Sequence, residues 1–394
     1  MRQAGIPVRQ WRIFTGYRLR RKYGQSCNIN KRPMLNLDDI TRQVLHNCDI
    51  SDAQHAGMFS ICGLALRLRD LYKWEHGLPP WQERESAEVL EWIETKENKW
   101  ETHAETDFWD ISINGKEFDP FDTIGINSTL EPRNFFYGAG YARSLKPTFF
   151  LAAIEETSIM NGTSVYILGR ELARDLLTIP ALSQDDCVLL RQESARLFLW
   201  DSIFYIKKSA RPALNFALDR CGIKDQQPKA LRHNLDAILT AQKSTYIYHE
   251  IGELKDTVFE RGLWREIIAA FPYSPVEYLA RAVKDLLADT NDYGTLRHII
   301  RERKTASLGF YVAFLEGLAK EYFPELPAAF QLFMQADDWS IIEQAVSSGY
   351  KTATKHAGLI LDFYREGVQK DDLKWAEAQI QQRLLGKYTK KEEV

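Results

Sequence analysis

Two Asn-Gly dipeptides, Asn114-Gly115 and Asn161-Gly162, each stand between short apolar runs in the first half of the chain. A two-residue type I′ turn needs two adjacent residues that tolerate positive φ. Asn-Gly supplies both, so each dipeptide predicts a β-hairpin. The flanking runs are Phe108 to Ile113 at the first, and Thr148 to Met160 with Ser164 to Leu168 at the second. Two hairpins imply a small, mainly antiparallel sheet of at least four strands. From about residue 170 onward the apolar residues recur at helical spacing instead. The expected fold class is α+β for the N-terminal part, all-α for the C-terminal part, and predominantly α-helical overall.

The N-terminal part predicts helices over 37–46, from Asp52 to about His76 behind a Ser51–Gln54 capping box, and from Arg84 to about Trp100. Residues 119–147, rich in Gly, Pro, Asn and aromatics, read as a long loop. In the C-terminal part helices are expected near 184–206, 211–221, 228–254, 263–270, 275–289, 294–322 with a break near Lys304, 326–335, 338–367 and 371–385. Pro180, Pro212, Pro228, Pro272 and Pro275 mark boundaries, because proline removes a backbone donor and restricts the residue before it. The domain organisation that follows is a basic arm over 1–33, an α+β domain over 34–178 and an all-α domain over 179–394.

The arm is the exception in charge. Residues 1–33 hold nine Lys and Arg and no acid, while the whole chain has 51 bases and 54 acids. The rest of the chain is therefore distinctly acidic, which disfavours nucleic-acid binding by that body. The arm reads as a segment outside the mature protein, with Met34 as the true start. An organelle presequence and a basic arm that contacts nucleic acid are the competing readings. No apolar stretch approaches the 18 or so residues of a membrane span, which predicts no membrane partner. Five scattered cysteines without a Cys-x-x-Cys pair suit a reducing compartment, and a cytoplasmic location is expected.

Three groups of residues carry candidate chemistry. His249 and Glu253 lie four apart, on one face of a helix, and His298 and Glu302 repeat the spacing. Two helices that each offer an imidazole and a carboxylate suit a divalent transition metal, and Glu250 is the candidate acid–base catalyst beside it. In the competing structural reading, Glu253 pairs with Lys255 or Arg265, and Glu302 with Arg301 or Arg303. Gly252, costly inside a helix, implies a close approach there. The second group is Gly138, Gly140, Arg143 and Lys146, where a Gly-x-Gly segment and two cations point to an anion site. The third, His46, Cys48, Asp52, His55 and Cys62, matches no zinc spacing and reads as structural.

Five tryptophans between Trp74 and Trp109 share their stretch with many glutamates, which favours core packing and a protein-contact surface. Two functional classes follow. One is an enzyme with a His/Glu metal or acid–base site acting on a small anionic ligand. The other is a non-catalytic interaction or scaffolding protein that uses the Trp-rich acidic segment. Nucleic-acid contact through the arm is a third.

Overall fold

The computed structural model describes residues 35–224 and 228–386. The arm, Met34 and the readings attached to them lie outside the described residues. The first helix, α1 (Leu37–His55), runs straight through the expected break at residue 47. Ser51 is buried within it and its hydroxyl donates to the Pro147 carbonyl, so it cannot cap a helix. The true break falls nine residues later. Ser60 accepts from the Gly63 amide at 3.2 Å and opens α2 (Ile61–Glu75), which is followed by α3 (Ser86–Glu101).

Strands β1 (Ile111–Ile113) and β2 (Lys116–Phe118) close on Asn114 and Gly115, both at positive φ. The stretch read as a long loop is largely regular: it contains α4 (Thr123–Leu130) and β3 (Phe135–Tyr141). Both are fastened by side chains that local pattern does not weigh. Asp122 caps α4 at the Gly125 amide (2.9 Å), and the Asn127 amide pairs with both the N–H and the carbonyl of Tyr137. Strands β4 (Pro147–Met160) and β5 (Thr163–Arg174) meet at Asn161-Gly162, again with positive φ at both residues.

Two more strands follow, β6 (Ala181–Gln184) and β7 (Cys187–Arg191), and β7 occupies residues expected to open the helix near 184–206. The Val188-Leu189-Leu190 run is wholly buried, and a buried run has no period to distinguish strand from helix. Pairing decides it. β7 lies parallel to β5 from Ser164↔Cys187 to Leu168↔Arg191, and antiparallel to β6. The five-stranded sheet has the order β3-β4-β5-β7-β6, antiparallel except at β5–β7. The hairpins do not share it, since β1 and β2 form a separate two-stranded sheet.

From Gln192 onward, the described residues are helical. The elements are α5 (Gln192–Phe204), α6 (Arg211–Arg220), α7 (Pro228–Lys255), α8 (Arg261–Ala270), α9 (Pro275–Thr290), α10 (Thr295–Arg301), α11 (Thr305–Phe314), α12 (Gly317–Tyr322), α13 (Glu325–Ala336), α14 (Trp339–Gln369) and α15 (Leu373–Ile380). A π-helical turn, Gln381–Leu385, follows. The expected 294–322 helix is three pieces, the first break falling at residues 302–304. Contacts join the described residues from Asn36 onward into one compact unit. No helix among them is long and apolar enough to cross a membrane.

Helix α7 links the sheet to the helical region. Ile247 and Ile251 pack on Val165, Ile167, Val188 and Leu190 of the sheet. At about 100° per residue, His249 and Glu253 lie two residues further round, on the face turned away from the strands. That face meets α9.

Candidate metal centre

Gly252 sets the approach of the two helices. A Cβ there would collide with the Ala288 carbonyl of α9. Asn291 seals the contact by donating its side-chain N–H to the Gly252 carbonyl at 2.9 Å. The close approach expected from this glycine is therefore one between backbones. It brings His249 and Glu253, one turn apart on α7, opposite Asp285 and Asp289, one turn apart on α9. His249, Glu253 and Asp285 each offer a ligand atom, and the three atoms lie within 4.8 Å of one another. All three side chains are half-buried, so the centre is partly open to solvent.

Behind this trio sits a supporting pair. The His249 Nδ1 is 2.9 Å from Asp289 Oδ1, and the Tyr311 hydroxyl of α11 donates to Asp289 Oδ2 at 2.7 Å. A carboxylate that holds one imidazole nitrogen fixes the orientation of the ring. Lys284 reaches in from α9, its Nζ 2.5 Å from Glu253 Oε1. Glu250 is 8 % exposed and has no hydrogen-bond partner among the described residues, although its charge faces Glu253, His249, Lys284 and Asp285.

The protonation states follow from this crowding. Burial, then the Glu253 charge, push Glu250 up to about 7, against the pull of His249 and Lys284. Burial also raises Asp285, to about 6, with His249 opposing and Glu253 and Asp289 assisting. For His249 burial disfavours the cation, but Asp289, through its charge and hydrogen bond, outweighs it and holds the imidazole well above its usual range. Glu253 goes the other way: Lys284 and His249 overcome its burial and lower its pKa.

His298 and Glu302 stand apart from this group. The His298 ring stacks on Tyr248 with centroids 3.9 Å apart and planes 8° from parallel. Tyr248 is one residue, hence about 100°, from His249 on α7, so α10 packs on a different face from α9. Burial and the charges of Lys304 and Arg301 lower His298 to about 4, and its Nε2 has no partner among the described residues. Glu302 is half-exposed and pairs with Arg301 at 3.2 Å, as the structural reading of that residue anticipates. Glu253 pairs with Lys284, not with Lys255 or Arg265.

The Gly-x-Gly segment is not an open loop. Gly138 and Gly140 belong to β3, where a Cβ at Gly138 would strike the Phe150 ring. Arg143 lies 4.3 Å over the Tyr278 ring and donates to its hydroxyl at 3.2 Å. Lys146 is fully buried, with its Nζ 2.9 Å from Asp52, 3.3 Å from Asp175 and 2.7 Å from the Ser51 hydroxyl. Its charge is consumed inside the protein.

The five residues of the third group are also separated. Asp52 joins Lys146, and Cys48 donates from its buried thiol to the Phe149 carbonyl. His46 stacks on Trp109, His55 hydrogen-bonds the Ser51 carbonyl, and Cys62 is exposed.

Sequence reasoning missed Asp285, Asp289, Lys284 and Tyr311. One signal was available: Asp285 and Asp289 have the same four-residue spacing as His249 and Glu253. Acids at that spacing on a helix usually mark a solvated face, so the signal was not specific.

Fold and centre together describe a helix-rich protein that joins a five-stranded sheet to an all-helical region and carries a His/carboxylate centre on two of its helices. Residues 39–191 match the N-terminal domain, and residues 196–383 the C-terminal domain, of a family of unknown function (DUF6866). The chain thus matches both parts of one family, in order, over most of its length. No curated protein and no solved structure matches it.

Proposed function

We propose that the protein binds a divalent transition metal through His249, Glu253 and Asp285, with Glu250 as the neighbouring acid–base group, and acts on a small anionic substrate. One observation carries this reading: three ligand atoms of mixed imidazole and carboxylate type converge, with the imidazole held from behind by the Asp289–Tyr311 pair. One nitrogen and two oxygens suit zinc, manganese or iron. Such an ion supplies Lewis-acid polarisation and a more acidic bound water. Glu250, next to His249 on α7 and charge-coupled to Glu253 and Asp285, is the acid–base group of this reading. A cytoplasmic setting belongs to the same reading, on the scattered cysteines of the sequence.

Elemental analysis and calorimetry test it. The expected result is one equivalent of metal for the native chain and none for His249→Ala or Asp285→Asn. Absence of stoichiometric metal from the native protein, with no uptake of added Zn2+ or Mn2+, overturns it. The second reading, a non-catalytic interaction protein, then stands. Its support is the exposed apolar side chains Ile61 and Leu66 on α2 and Leu90 on α3, beside the acidic Trp-rich segment.

A further inference from the structure

The contact between Lys284 and Glu253 places a cation on one of the three ligands themselves. The centre holds four carboxylates, on Glu250, Glu253, Asp285 and Asp289, against the ammonium of Lys284 and the imidazole of His249. Lys284 is the only permanent cation directly bonded to the trio among the described residues. A divalent ion sits about 2.0–2.2 Å from a carboxylate oxygen and carries twice the charge, so it competes for the same Glu253 oxygens and repels the ammonium.

The displaced ammonium has somewhere to go. The Trp264 ring of α8 already lies 5.1 Å from the Lys284 Nζ, and the Arg281 guanidinium is 5.9 Å from the same ring. An aromatic face steadies a cation without neutralising it. Arg281, one turn before Lys284, keeps its own partners, Glu277 Oε1 at 2.9 Å and the Ala142 carbonyl at 3.3 Å.

We infer that Lys284 is a resident counter-cation which the metal displaces, and that its freed ammonium, beside the metal, then binds a small oxyanion of the phosphate class. This rests on the metal centre proposed above and adds an order to it. The metal binds first, and anion affinity is conditional on metal. While Lys284 holds Glu253 it has no charge to spare for an anion. Once it is displaced, an oxyanion that bridges the metal and the ammonium restores its pairing. The anion-holding role expected of Arg143 and Lys146 passes to Lys284.

Calorimetry on the full chain tests the inference, with inorganic phosphate as the anion and Mn2+ or Zn2+ as the metal, whichever binds the native protein more tightly. In the native protein phosphate is expected to bind at least tenfold more tightly with metal than without. Lys284→Met is expected to bind metal at least as tightly as the native protein and to lose the tenfold coupling. Lys284→Arg should keep the coupling, which separates charge from packing. Glu253→Gln releases Lys284 without metal, so it should bind phosphate alone several-fold more tightly than the native protein does. Weakened metal binding in Lys284→Met, or unchanged coupling in it, overturns the inference and leaves the metal centre intact. Failure of the native protein to bind either metal overturns both.

Discussion

Two clusters of acids around a lysine lie in different regions of this protein, and they behave in opposite ways. In the sheet region, Lys146 stands between Asp52 and Asp175, all three essentially inaccessible. Backbone amides complete the coordination of both acids: Leu176 donates to Asp52 at 3.1 Å and Leu177 to Asp175 at 2.9 Å. One surplus negative charge remains, and a proton meets it. Burial, opposed by Lys146 and assisted by Asp175, pushes Asp52 up to about 7.

In the helical region Lys284 shares its surroundings with four carboxylates, one of them, Glu250, without a hydrogen bond among the described residues, and the ligand side chains reach solvent. Burial of charge is common to both clusters and does not distinguish a site from a structural ion pair. What differs is the surplus of acceptors and the access to them. The first cluster is closed on itself, while the second keeps surplus carboxylates within reach of solvent.

The largest effect that sharpens this contrast is expected from Lys146→Met. It strands two buried carboxylates and should cost about 3–5 kcal/mol in urea-induced unfolding, more than Lys284→Met, whose pair with Glu253 is less buried. Equal losses would break the comparison. Next, Asp289→Asn removes the group that orients His249 and should weaken metal binding about 10- to 100-fold by calorimetry, with little change in Tm. Gly252→Ala forces α7 from α9 and is expected to cost about 1–3 kcal/mol on thermal unfolding, with metal affinity lowered in the same protein.

A smaller effect concerns pH. The folded-state pKa of Asp52 lies above its unfolded value, so the folded chain holds more protons than the unfolded one between about 4 and 7. The Asp52 contribution to stability therefore falls as pH rises through that window, and is flat above it. The urea midpoint of Asp52→Asn, measured against the native protein at pH 5 and pH 8, should improve relative to native at the higher pH. The smallest effect is the absence of one: His298→Ala and Glu302→Gln should leave metal affinity within about twofold, because α10 meets a different face of α7.

The helical region was the more legible from sequence, and the reason is local. Its prolines and period-3.6 pattern act within one element, so α6, α7, α9, α13 and α14 begin and end within two residues of expectation. Asn114-Gly115 and Asn161-Gly162 are equally local, since the turn conformation resides in the two residues themselves. The misread parts depend on distant partners. β7 is a strand because β5 lies beside it, α1 continues past Ser51 because Pro147 takes the hydroxyl, and β3 is regular because β4 pairs with it. Of the candidate site, the His249–Glu253 pair was visible as a four-residue spacing. His298 and Glu302 show the same spacing but lie against another face of α7, and the equal spacing of Asp285 and Asp289 carries no specific signal on its own.

What the sequence determined alone is which residues share a face of one helix or close one hairpin, because backbone geometry repeats over a few residues. Which faces meet was decided by packing. Gly252 let α7 approach α9, Tyr248 drew His298 to another side, and Lys146 found its two acids, Asp52 and Asp175, 94 and 29 residues away along the chain. The proposed centre, built from two helices, belongs to that second kind of information. No spacing within either helix encodes the distance between them.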